Sequence, residues 1–310
     1  MNRLESLRRE HEAGKLGKLD YIARIHALHT ALFDYPAFMS GGDVAAITIL
    51  PDGIAVRSQS QQVELFLDPN DQHLVPYTLL NFRHYEIEET EFLKSIVGDD
   101  WTVLDIGANC GWYSLVLAKQ SPRIVVHAFE PIPSTCALLR RNIALNGLSN
   151  IHVHDLGISD RQATVDFLYT PTCSGATSLK EVGQPDATEK VSCQTTTIDD
   201  FCRKHSFLPK LIKCDIEGAE LLALKGGLKT IAEAKPVLLM ELLRKWSARF
   251  DYHPNDVFLL LRELGYAAYS VDAGSLKCCA EVTDATVETN FIFLHLDEHS
   301  SIIDTWVPRP

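Results

Sequence analysis

The chain has 310 residues, 46% hydrophobic and 23% charged, with 29 Lys and Arg against 41 Asp and Glu for a net charge of −12. This composition fits one large globular domain with an appendage, or two domains, and excludes collagen-like, disordered and disulfide-scaffold classes. The acidic balance, with no Lys/Arg block longer than a pair, argues against duplex nucleic acid and anionic membrane surfaces as partners, since both require rows of positive charge.

The first twenty residues lack the apolar core of a signal peptide, and no later window has the length of a membrane span, so a cytoplasmic protein is expected. The eight cysteines are scattered with no Cys-x-x-Cys spacing and read as reduced thiols rather than zinc ligands. Apolar residues from Leu4 to Leu32 recur at a helical interval broken by Gly14 and Gly17, which predicts one or two amphipathic helices. These offer a surface for a homo-oligomer. Residues 45–50 and 54–57 flank Pro51-Asp52-Gly53 as two short β segments, and 63–67 form a third extended stretch. Residues 1–83 are therefore expected to form a helical and β-hairpin cap.

From about residue 84 to 310, strands and helices alternate. Apolar strands are predicted at 101–106, 124–129, 151–154, 211–214 and 236–240, with helices at 112–119, 134–145 and 255–264. Such strands require a parallel sheet covered on both faces. Residues 266–271 and 290–296 close the chain as an antiparallel hairpin added to that sheet. The expected fold is α/β, a Rossmann-like sheet.

In open α/β sheets, ligands bind at the carboxyl ends of the strands. The first such loop, Asp105-Ile106-Gly107-Ala108-Asn109-Cys110-Gly111, has the spacing G-x-x-x-G, not the G-x-G-x-x-G of a dinucleotide site. Asp105 ends its strand where a carboxylate would repel a pyrophosphate and attract a cation. Glu130, ending the second strand, is placed to take both hydroxyls of a ribose. A ribose acceptor beside an acid that faces a cationic tail points to S-adenosylmethionine rather than NAD or ATP. Both carboxylates could instead serve as helix caps.

The motifs Asp105-x-Gly107-Ala108-Asn109-x-Gly111, Glu130-Pro131 and Lys213-x-Asp215-x-Glu217-Gly218-x-Glu220 together resemble the FkbM family of class I S-adenosylmethionine-dependent methyltransferases, over about residues 84–243. The resemblance implies that Asp105, Gly107, Asn109 and Gly111 surround the methionine part of the cofactor and that Glu130 holds its ribose. It places Asp155 and Gly157 at the adenine. It also suggests that Glu86, in His84-Tyr85-Glu86, closes over the cofactor tail. The hydroxyl-rich stretch 172–178 resembles a family segment near the substrate, although such composition is equally that of a plain turn.

Asp215 and Glu241 end the fourth and fifth strands, and with Glu217 they are the acids nearest an acceptor. An aliphatic hydroxyl needs a general base, so these three are the catalytic candidates. Glu220 reads as a helix-capping acid. The three acids could alternatively hold Mg²⁺ through hard oxygen ligands. The leading expectation is an O-methyltransferase acting on a small-molecule or saccharide acceptor. N-methylation on the same fold, an NAD-dependent oxidoreductase and a non-catalytic nucleoside-binding module are the alternatives.

Overall fold

The structure, a computed structural model, describes residues 2–180 and 188–308. Two helices, α1 (Arg3–Glu12) and α2 (Lys18–His29), open the chain, followed by a 3-10 turn (Thr30–Phe33) and the short helix α3 (Tyr35–Met39). They pack on each other around Leu16 and leave Leu19, Leu32 and Phe33 exposed. Strands β1 (Val44–Leu50), β2 (Gly53–Ser58) and β3 (Glu64–Phe66) form an antiparallel sheet. The β1–β2 turn falls at Pro51-Asp52, where the sequence predicts it. Helices α4 (Val75–Phe82) and α5 (Ile87–Ile96) lead into the main sheet.

The α/β succession then runs β4 (Thr102–Ile106), α6 (Trp112–Ala118), β5 (Val125–Phe129), α7 (Pro133–Leu145) and β6 (Ile151–His154). A segment with no counterpart among the predicted elements follows, in which β7 (Gly157–Ile158), β8 (Ala163–Tyr169) and β9 (Glu189–Thr196) form a second small sheet in the order β7-β9-β8. Next come α8 (Ile198–His205), β10 (Leu211–Cys214), α9 (Glu220–Lys225), α10 (Leu228–Ala234) and β11 (Val237–Glu241). The chain ends with α11 (Arg244–Ser247), α12 (Pro254–Glu263), β12 (Tyr266–Asp272), β13 (Ser275–Cys279), β14 (Asn290–His295) and α13 (Ser300–Trp306).

The main sheet has the order β13-β12-β14-β11-β10-β4-β5-β6. Strands β11, β10, β4, β5 and β6 are parallel, while β14 runs antiparallel to both β11 and β12. This is the mostly parallel Rossmann-like sheet expected from the sequence, with β12 and β14 as its antiparallel C-terminal pair. The turn-rich segment between the last two predicted strands supplies an additional edge strand, β13, that pairs with β12.

Alternation along each strand divides the core. Val103 of β4, Val126 of β5 and Leu239 of β11 face α5, α6 and α7, whereas Leu104, Phe129 and Leu238 face α8, α9 and α12. Val44, Val56, Val63 and Leu65 of the cap join the first of these cores, so the cap is packed into the domain rather than laid over it. Among the described residues, no helix is long and apolar enough to cross a membrane.

Candidate active site

The strand order reverses at the carboxyl ends of β4 and β10, where a crevice must open. Asp105, 1% exposed, is the last residue but one of β4 and lies inside an apolar layer. A buried carboxylate needs partners, and Oδ2 has them in the Ser114 amide (3.0 Å) and hydroxyl (2.5 Å) at the start of α6. This oxygen caps the helix. Oδ1 has no hydrogen-bond partner, and the residue lines the crevice. Capping and ligand binding, alternatives in the sequence, thus fall to different oxygens of one residue.

The loop between Asp105 and α6 depends on two glycines. Gly107 has φ +76°, and a Cβ there would lie 1.8 Å from the Asp215 carbonyl oxygen. Gly111 has φ +94°, and its Cβ would meet Leu139 Cδ1 at 2.4 Å. The loop can therefore lie against the β10 loop at Gly107, and against α7 at Gly111, only without side chains at these positions. Asn109 donates its backbone N–H to Glu130 Oε2 (3.1 Å) and its side-chain amide to Ser174 Oγ (3.1 Å).

Glu130, 5% exposed, follows β5. Its two oxygens accept the amides of Asn109 and of Ile132 (3.0 Å), which fix the carboxylate and leave a further lone pair on each oxygen. Burial raises its pKa to about 7, against these hydrogen bonds. Glu130 lines a lobe of the crevice with Phe129, Leu156, Gly157, Ile158 and Phe167, an apolar slot suited to a flat ring. Gly157 borders this slot. Asp155 is exposed and paired with Arg140 (2.5 Å) outside the lining, so Leu156 and Ile158 stand where the sequence placed its side chain.

The second lobe is acidic. Carboxylate oxygens of Asp215, Glu217 and Glu241 lie within 4.8 Å of one another, and Glu86 lines the same space. Glu217 lies in the β10–α9 loop at φ +53° rather than opening a helix, and its Oε2 is buried without a partner. Burial, and then the neighbouring Asp215, push the carboxyls of Glu217 and Glu241 well above the usual range. The Glu241 carboxyl also faces that of Asp215, a hydrogen-bonding contact that adds to its upward push. Glu86 accepts Tyr113 Oη–H (2.6 Å) and the Asn290 amide (3.0 Å), and burial raises its pKa.

Lys213, quoted in the motif but assigned no role from sequence, is the cation of this lobe. Its buried Nζ donates to the Gly107 carbonyl (2.9 Å) and lies 3.4 Å from Asp215 Oδ2 and 3.7 Å from Asp105 Oδ1. Burial opposes its charge, but Asp215, Asp105 and Glu86 outweigh burial and raise its pKa. The two lobes meet at Gly107, Asn109, Gly175, Asp215 and Glu217. Ser174 falls in the stretch 172–178 singled out in the sequence, whereas its partner Asp71 is missed by sequence reasoning; their contact spans 103 positions, and no local pattern reports it.

The family description "Methyltransferase FkbM domain" matches residues 105–268. The chain belongs to the FkbM methyltransferase family. It is similar to Methyltransferase 1 of Beauveria bassiana, 29% identical over 146 residues, covering 41% of this chain and 59% of that protein. It is also similar to the 31-O-demethyl-FK506 methyltransferase FkbM of Streptomyces tacrolimicus, 25% identical over 152 residues, covering 40% and 58%. The chain thus spans about three fifths of the length of these curated relatives. The crystal structure of Methyltransferase FkbM from Methylobacillus flagellatus KT superposes with a TM-score of 0.42 at 22% identity, covering 70% of this chain and 53% of that one. The FkbM match begins at Asp105 and takes in Glu130, Asp215, Glu217 and Glu241.

Proposed function

We propose that this FkbM-family protein is an S-adenosylmethionine-dependent O-methyltransferase whose acceptor is a hydroxyl on a small molecule or a sugar. The observation that carries the reading is one crevice with two chemically different lobes. A carboxylate suited to a ribose lies beside an apolar slot, and the slot opens into a cluster of acids. The Oδ1 of Asp105, buried without a hydrogen bond and facing Lys213 Nζ at 3.7 Å, together with the carboxyls of Glu86, Asp215, Glu217 and Glu241 around the same lobe, makes an acidic surround that fits a ligand with a cationic tail. The printed name of the Streptomyces relative, an O-demethyl substrate's methyltransferase, supports oxygen as acceptor.

Glu130 would hold the ribose hydroxyls, Gly157 with Leu156 and Ile158 the adenine, and Asp105, Gly107, Asn109, Gly111 and Glu86 the methionine end. When bound, S-adenosylmethionine supplies an electrophilic methyl group. Alignment of the acceptor oxygen with that methyl supplies most of the rate, and the acid lobe is where the acceptor is held. Asp215, Glu217 and Glu241 are the candidates to take its proton, because they are mutually close carboxyls in the lobe where the acceptor is held. Lys213 fixes the Gly107 carbonyl and Asp215 in register, so cofactor loop and base move as one unit.

Calorimetric titration with S-adenosylmethionine tests the reading. Wild type should bind, and Asp105→Ala and Glu130→Ala should each weaken binding by at least about tenfold, one charge-assisted contact's worth. Unchanged affinity in both variants sinks it. Asp215→Asn should bind cofactor normally and lose turnover. A second reading rests on the three mutually close carboxylates and the orphaned Glu217 oxygen: they could hold Mg²⁺, which would acidify an acceptor hydroxyl. Full activity in excess EDTA excludes it.

A further inference from the structure

The loop 172–178 has one 3-10 turn (Ser174–Ala176) as its regular structure, yet it forms the wall between the two lobes. Ser174, Gly175 and Thr177 line the apolar lobe, and Gly175 also borders the acidic one. Holding an irregular segment in one conformation costs backbone entropy, so its anchors decide whether the wall stands.

Three side-chain anchors supplement the backbone bridge between Ser178 and Leu168. Ser174 Oγ accepts from the Asn109 side chain of the cofactor loop (3.1 Å), and Ser178 Oγ donates to the carbonyl of Glu217 in the acidic loop (2.8 Å). The third comes from the N-terminal cap. Asp71, 3% exposed, accepts the Ser174 backbone N–H at Oδ2 (2.9 Å) and that of His73 at Oδ1 (2.9 Å). The Gln72 amide donates to the Thr172 carbonyl alongside (3.2 Å). The residues that follow, His73, Leu74 and Val75, line the acidic lobe.

We propose that Asp71 is a positioning residue of this site: its carboxylate clamps the 172–178 loop as the partition between the lobes, so that the cap completes a cleft otherwise built from the FkbM region. A buried carboxylate that accepts two backbone amides makes charge-assisted bonds, and its loss leaves the Ser174 N–H unsatisfied. The same segment that holds the partition also forms a wall of the acceptor lobe, so residues 71–75 couple acceptor fit to loop closure. The inference rests on the methyl-transfer reading for the identity of the ligand, whereas the clamp is measured without it.

Hydrogen exchange and S-adenosylhomocysteine titration on the full chain test it, using Asp71→Asn and Asp71→Ala. Exchange at Ser174 to Thr177 should accelerate, and S-adenosylhomocysteine affinity should fall about tenfold, the expected effect of one lost charge-assisted bond. Unchanged loop exchange overturns the inference. So does faster loop exchange with unchanged affinity, or exchange that rises equally across β1–β3, which would make Asp71 a plain fold stabiliser. If these variants fail to fold, Ser174→Pro is compared with Ser174→Ala. Both remove the Asn109 contact, but only proline removes the N–H that Asp71 takes. Equal affinities for that pair overturn the clamp. Failure of wild type to bind S-adenosylhomocysteine overturns the functional reading, while the exchange comparison still decides the clamp.

Discussion

Glu220 holds the backbone on which Glu217 is mounted. Its Oε1 accepts the amides of Ile216 and Gly218, both at 3.0 Å, on either side of Glu217, while Oε2 accepts Tyr252 Oη–H at 3.0 Å. The left-handed conformation of Glu217 is thereby held from both flanks. Glu220→Ala should lose roughly 2–3 kcal/mol in urea unfolding, because two buried amides lose their acceptor, and turnover should fall with it. Glu220→Gln retains an acceptor for those amides and should stay within about 1 kcal/mol of wild type by the same measurement.

At Gly175 an added Cβ would meet nothing within 4 Å, although the residue borders both lobes. Gly175→Leu should therefore keep the melting behaviour of wild type, within the roughly 0.5 kcal/mol of a surface change. Methyl transfer should fall by about tenfold or more as the side chain misaligns the acceptor. Equal loss of stability and turnover would show that Gly175 is needed by the fold and not by the opening.

Cofactor binding should release protons. Burial raises the pKa of Glu130 to about 7 and lifts Glu86, Glu217 and Glu241 above the ordinary carboxyl range. In the free protein part of this set is protonated near neutrality. A cationic ligand favours the ionised forms, lowers these pKa values and expels protons, so affinity should rise from pH 6 to pH 8. Calorimetry in two buffers of different ionisation enthalpy reads the number released; a heat independent of buffer contradicts the assignment.

The pair His127 and His154, with ring nitrogens 3.0 Å apart, predicts a different response to acid. Burial, then neighbouring His154, His152 and His205, lowers the pKa of His127 to about 4; burial, then His205 and His152, does the same for His154, with nearby Asp155 opposing and Arg140 reinforcing. Because the folded values lie below the unfolded one, these rings stabilise the fold above about pH 6.5, and that contribution is lost as pH falls toward 4. Glu130 and Glu220, both raised to about 7, act in the opposite sense over the same range. The difference between wild type and His154→Phe isolates the histidines: it should shrink by roughly 2 kcal/mol between pH 7 and pH 5 in urea melts.

The parallel strands were legible because buried β-branched runs and terminal carboxylates are local signals, and each core strand lies within one or two residues of its predicted position. The small β7-β9-β8 sheet was not. Its strands alternate polar and apolar residues over a partly exposed surface, as in Ala163–Tyr169, and β7 has only two residues. In the site, Asp105, Glu130, Asp215 and Glu241 were readable because a strand end is where ligands gather. The role of Asp155 was not, because which way a residue turns after a strand depends on a partner such as Arg140, fifteen positions away. The contact of Asp71 with Ser174 belongs to tertiary structure alone.

Asn142 on α7, fully buried, accepts the Phe66 amide of β3 at 2.9 Å and donates to the Cys110 carbonyl in the cofactor loop at 2.8 Å. One turn on, Asn146 accepts from and donates to Glu64. Side-chain amides thus take the place of a neighbouring strand for β3. A chain started at residue 84 would strip both asparagines of their β3 partners and bare the apolar underside of α7. The smallest fragment worth expressing therefore begins ahead of Val44, and moving this cap onto another member of the family would require transplanting these two asparagines with it.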